Sequence, residues 1–439
     1  MPFPQFEIEF TKDGQLFNNA QEDEILKNAP TLTDVFIISH GWNNNKVEAT
    51  KLYDDFFANL SKVLSNDLVK GLEERKFGVI RIFWPSKKFA DADLVPAGGA
   101  ASLTPEVSNK ALISLLEKMK PNPARLGGQE SDPLREENLR KAQDLVPQLE
   151  TDTQARRDFL FRLRTILDPS DRHADDGSVE FFAVEPEKLF EQLKGPVNAP
   201  LGSTAHGATS LSRSGGAAAV GDILTGFVAA AQRIANYTTY YEMKQRAGTV
   251  GSTGVFQLMR RLRERNSTLR LHLIGHSFGG RLVIAAAHAL PSGTPAVSIS
   301  LLQAAFSHNG LSDSFDDNNT AGAFRALLAE KRASGPIIIT YTKNDQAVGI
   351  AYPLASRFAR DQAAAMGDEN DPYGGMGRNG AQHTPEVSSM VSVLQQVGGQ
   401  YEFTAGSIYN LKADDLIKDH GDVTGPQVAY AVLNAAKSV

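Results

Sequence analysis

Four short apolar runs punctuate the chain, at 35–38, 78–83, 271–274 and 336–341, each bounded by turn residues and rich in β-branched side chains. Runs of that length and composition predict buried parallel strands, whose two covered faces remove the usual polar–apolar alternation. A fifth run, 297–302, is correctly spaced to join them. Between the runs the periodicity becomes helical. Residues 50–64 place Leu52, Phe56, Phe57, Leu60 and Leu64 on one face, and Phe256–Arg265 does the same with Leu258 and Leu262. Strands alternating with helices predict an α/β fold, a mostly parallel central sheet with helices on both faces.

The alternation breaks between about residues 86 and 250. This stretch predicts no strand but several helices, at 105–118, 133–149, 158–167 and 220–236, with a charged, leucine-punctuated pattern on the first three that suits exposed amphipathic helices. From 195 to 218 it is rich in Gly, Ser and Ala, which predicts a mobile loop. The chain therefore divides into a core, 1–85 and 251–439, and a mainly helical insertion, 86–250, expected to fold over the sheet's carboxyl edge as a cap or lid. A second excursion, 361–400, precedes the last segment.

Composition narrows the chemistry. The 439 residues are 41% hydrophobic and 22% charged, as in ordinary globular proteins, and a formal charge of −6 gives no reason to expect nucleic acid or an anionic membrane as partner. The absence of cysteine excludes disulfides, thiolate metal sites and cysteine nucleophiles. No basic start with an apolar run opens the chain and no run of about 18 uncharged apolar residues occurs, so neither a signal peptide nor a transmembrane helix is expected and the default address is cytoplasmic. Export by a route that needs no cleaved signal would leave the same pattern.

The candidate chemistry lies in Gly275-His276-Ser277-Phe278-Gly279-Gly280. Gly-x-Ser-x-Gly is weak evidence alone, but a predicted strand stands immediately before it and a helical pattern, 279–289, immediately after. A serine on a tight strand-to-helix turn projects its hydroxyl above the sheet, and Gly275 and Gly279 flank it because a Cβ there would meet the neighbouring strand or helix. The helix N-terminus directs backbone N–H groups at the same place.

A serine hydroxyl needs a histidine base, itself oriented by a carboxylate. Asp345 follows the strongest late strand directly, at the edge where such sheets bind ligands. Asp313, Asp316 and Asp317, after the weaker strand, compete with it. Among the histidines, His288 falls inside the helix after the serine, His308 precedes the preferred acid, and His383 on a glycine-rich loop is the serious alternative. His420 precedes a final predicted helix, 427–437, and is the preferred base. An oxyanion needs two backbone N–H donors. Phe278, after the serine, supplies one; Trp42 is first choice for the other and Gly41 the next, on the loop after the strand at 35–38. His40 is read as orienting that loop.

The His-Gly pair at 40–41, the motif at 275–280, Asp345 and His420 together resemble an α/β-hydrolase of the serine esterase/lipase type, over about 1–85 and 251–439. The resemblance implies a Ser-His-Asp triad of Ser277, His420 and Asp345, no cofactor, no metal and hydrolysis of an acyl bond in a small-molecule or lipid ester. A lipase or phospholipase with a surface-responsive lid is the nearest alternative, followed by a peptidase or amidase and by a non-catalytic binding protein that kept the fold. The insertion and the long interval between Asp345 and His420 both exceed the family's minimal pattern. Two further motifs point elsewhere and are set aside. Residues 375–380 match Gly-x-Gly-x-x-Gly without a preceding strand, which argues against a dinucleotide site. The acidic run 368–371 could ligate calcium but suits a solvated turn better.

Overall fold

The computed structural model describes residues 3–86, 105–120, 132–195, 225–345, 347–348 and 372–439. The expected loop at 195–218, apart from its first residue, and the acidic run 368–371 lie outside them. Seven strands, β1 (Gln5–Glu9), β2 (Asp34–Ser39), β3 (Phe77–Phe83), β4 (Arg270–His276), β5 (Ser298–Leu302), β6 (Ile337–Tyr341) and β7 (Ile408–Lys412), form one sheet in the order β1-β3-β2-β4-β5-β6-β7. Every neighbouring pair is parallel. The five predicted strands are present; β1 and β7, at the two edges, are additions.

Successive side chains of a strand point to opposite faces, so each central strand feeds two cores. Val35 and Ile37 of β2, with Leu271 and Leu273 of β4, join one; Phe36 and Ile38, with Ile274, join the other. The second core is closed by α2 (Lys46–Ser65), through Tyr53, Phe56 and Leu60, and by the C-terminal helix Pro426–Lys437. The first is closed by α1 (Asn19–Asn28) and by the helices that follow β3 in the chain.

Those helices are α3 (Pro105–Lys118), α4 (Pro133–Leu145), α5 (Thr153–Thr165), α6 (Ser178–Ala183), α7 (Pro186–Leu193) and α8 (Phe227–Thr249), then α9 (Phe256–Arg265), α10 (Phe278–His288) and α11 (Arg325–Ala329). Among the described residues the stretch 105–249 contains no strand, as expected. Its last helix differs from expectation: the helix foreseen at 220–236 runs over Phe227–Thr249. A π-helical segment, Val250–Val255, then carries it directly into α9. The boundary drawn at 250 therefore falls inside one helical rod. Glycine makes this packing possible, since a Cβ on Gly251 would lie 2.1 Å from the carbonyl oxygen of Leu282 in α10. Residues of the insertion and of α10 share a single hydrophobic core, with Tyr240 of α8 tilted 5.2 Å from Phe278 between ring centroids. Among the described residues no helix is long and apolar enough to cross a membrane.

Candidate active site

β4 ends in His276, and Ser277 is the cap from which α10 starts. Its backbone sits at φ 57° and ψ −125°, a region that residues with a Cβ rarely adopt. The turn is held on both sides. The Ser277 N–H donates to Leu302 O at 3.1 Å, and its carbonyl accepts from Gly280 N and Ala305 N, each at 2.9 Å. The flanking glycines are sterically required: a Cβ on Gly275 would stand 2.4 Å from Gly279 O, and one on Gly279 would stand 2.2 Å from Ser39 O and 2.6 Å from His40 O. These neighbours are backbone and cannot rotate away. Gly279→Ala should therefore destabilise the fold by about 1–3 kcal/mol or more, seen as a lowered thermal midpoint; an unchanged midpoint would refute the steric account.

The loop after β2 reaches the same place. A Cβ on Gly41 would fall 2.6 Å from Ser277 Cβ and 3.0 Å from Ser277 Oγ, so only glycine lets this backbone pass the hydroxyl. The loop's carbonyls are turned inward. Asn44 Nδ2 donates to Gly41 O and to Trp42 O, both at 3.1 Å, and His40 Nδ1 lies 2.9 Å from Gly41 O. The loop closes on α2 through a reciprocal cap: Asn45 Oδ1 accepts from Glu48 N, and Glu48 Oε2 from Asn45 N. With the carbonyls committed, the N–H groups of Gly41, Trp42 and Phe278 have no acceptor among the described residues. The Trp42 and Phe278 rings meet edge to face at 6.0 Å. His40 is fully buried and stacks on Trp84 at 5.6 Å. Burial lowers its pKa to about 4, so it stays neutral and serves the loop.

Asp345 follows β6, is fully buried, and accepts from His420 Nδ1 at 2.8 Å through Oδ2, while Oδ1 accepts from Val348 N at 3.0 Å. Burial works against charge on His420, but the Asp345 carboxylate, by its charge and hydrogen bond, with Asp419 adding, outweighs it and raises the pKa above 6.5. Four of the competing residues are engaged elsewhere. His383 Nδ1 pairs with Asn309 Oδ1 at 2.8 Å and His308 Nδ1 with Asn379 Nδ2 at 3.1 Å. His288 packs edge-on against Phe324, and Asp316 caps its own turn, accepting from Thr320 N at 2.8 Å. The glycine motif at 375–380 forms the short helix Met376–Asn379, with Gly377 against the backbone of Gln303.

Ser277 and His420 are brought to one edge of the sheet through His276. The His276 ring lies 4.9 Å from that of His420, and its Nε2 is 2.8 Å from His420 O. The Ser277 hydroxyl itself makes no hydrogen bond to His420 in this conformation. Resting sites often leave that last contact open until substrate is bound.

A second Ser-His-Asp cluster went unseen in the sequence. His272 Nδ1 is 2.8 Å from Ser298 Oγ, and its Nε2 is 3.0 Å from Asp34 Oδ1. It sits toward the amino ends of β2, β4 and β5 with Asp34 fully buried, His272 1% and Ser298 3% exposed, so a substrate has no approach. Its serine lies on a regular strand, not on a turn, and the cluster is read as satisfied core polarity. Also missed were Asn44, whose amide fixes the loop carbonyls, and the bond from His276 to His420. Neither has a periodicity or spacing signal.

No protein-family model matches the chain, and no curated protein and no solved structure matches it either.

Proposed function

We propose that the chain is a serine hydrolase of the α/β-hydrolase type that cleaves carboxylic esters through an acyl-enzyme. The observation that carries this reading is the Asp345–His420 hydrogen bond of 2.8 Å at the sheet edge where Ser277 occupies its left-handed turn. Nucleophile after β4, acid after β6 and base after β7 is the order such a triad requires.

In this mechanism Ser277 Oγ attacks the ester carbonyl while His420 Nε2 takes its proton. Asp345 keeps the remaining ring proton on Nδ1 and stabilises the imidazolium. The N–H groups of Phe278 and of Trp42 or Gly41 receive the oxyanion, a task for which they stand unpaired. His420 then protonates the departing alcohol, and water cleaves the acyl-enzyme by the same steps with the roles repeated.

The direct test is labelling by a fluorophosphonate probe. Ser277 should be the modified residue. The labelling rate should rise with pH through a titration above 6.5, because His420 must lose its proton to act as base and the Asp345 pair raises its pKa. Peptide mapping that finds no adduct on Ser277, or a rate flat between pH 6 and 8, would defeat the reading.

A further inference from the structure

Loop histidines depend on whatever fixes their backbone, and here the fixing group sits inside the nucleophile turn. Side-chain alternation along β4 puts Ile274 and His276 on the face packed by the C-terminal helix, and the turn 419–423 leads into that helix. Within the turn, Gly421 N donates to Asp419 Oδ1 at 2.8 Å, Asp422 N to Asp419 O at 3.3 Å and Val423 N to Gly421 O at 2.9 Å. These bonds shape the turn but do not attach it. Lys418 N donates to Asp422 Oδ2 at 3.0 Å, a bond to the adjoining residue only; among the described residues the two hydrogen bonds that tie 419–423 to other elements are both made by His420, its Nδ1 to Asp345 and its carbonyl to His276. The carbonyl can only accept, so His276 carries its proton on Nε2.

We infer that His276 is a positioning residue for His420, acting through the His276 Nε2–H···O=C bond, and this rests on the triad reading above. The bond fixes where the His420 backbone stands; Asp345 fixes how the ring is turned; neither can do the other's work. The site suits a permanent neutral donor. His276 is only 6% exposed, its Nδ1 has no hydrogen-bond partner among the described residues, and burial, with the charge of His420 adding to it, lowers its pKa to about 3. It therefore stays uncharged 4.9 Å from a ring that becomes cationic during turnover.

Two substitutions separate donor from bulk. His276→Gln keeps an N–H near the Nε2 position, and His276→Phe keeps the ring without a donor. H276F should lose about 100-fold in kcat with KM changed by less than about threefold, as expected of a misplaced catalytic group. H276Q should recover at least a tenth of wild-type kcat. Loss of kcat to the same extent in both, or in neither, would overturn the inference. Imidazole ¹⁵N NMR of the unmodified protein tests the bond without relying on the variants' folding: His276 should remain the neutral Nε2–H form from pH 5 to 8. A Nδ1–H form, or a titration in that range, would likewise overturn it. Failure of the triad reading looks different, because Ser277→Ala would then remain active whatever His276 does.

Discussion

Ser277→Ala should lower kcat on an activated ester by about 10⁵- to 10⁶-fold while leaving the thermal midpoint within about 2 °C of the parent. The first figure follows from the proposed triad, in which loss of the nucleophile removes nearly everything the base and acid contribute. The second follows from the contacts. The Ser277 hydroxyl has no hydrogen-bond partner among the described residues, so its removal orphans no buried group. The bonds that hold the turn, to Leu302, Gly280 and Ala305, are backbone bonds that alanine keeps. Alanine also inherits the positive φ of 57° without relieving or worsening it. Steady-state kinetics and a melting curve on the same preparation suffice. An S277A protein within tenfold of wild type would end the hydrolase proposal.

Asp345→Asn should cost about 10⁴-fold in kcat, although it changes one atom. The reason is directional. Asp345 Oδ1 accepts from Val348 N at 3.0 Å and Oδ2 from His420 Nδ1 at 2.8 Å. An amide has one acceptor and one donor end, and the Val348 N–H holds the carbonyl end. The NH₂ then faces His420 and donates to Nδ1, which drives the ring proton to Nε2. In that tautomer Nε2, the nitrogen proposed to take the serine's proton, carries a hydrogen and cannot receive another. Single-turnover acylation would show the loss directly. A D345N variant within tenfold of wild type would mean that another group orients His420.

Much of this was legible along the chain. The strand cores of β2 to β6 announced themselves because sheets buried on both faces are apolar at most positions. The two edge strands did not. Gln5–Glu9 and Ile408–Lys412 mix Gln, Glu, Asn and Lys among their apolar residues, as edge strands can. The serine stood out because its motif carried both flanks, and Asp345 and His420 followed from order along the chain. Pairing was another matter. The sequence left His383 open against His420, and only the fold shows that Asn309 holds the one while Asp345 holds the other. Nor could composition distinguish Gly251, a glycine inside a helical rod, from a helix breaker. Its role depends on Leu282, about thirty residues away.

That contact ties reactivity to robustness. The rod bearing Tyr240 rests on the helix bearing Phe278, and both rings belong to the core, 6% and 1% exposed, while Phe278 adjoins Ser277. Under the proposed reading, residues that would border the reacting carbon are thus the same ones that keep the molecule folded. If the chain is the proposed acyl hydrolase, efforts to retune its acyl preference will draw on thermal reserve, and a stabilised parent is the sounder starting point for them.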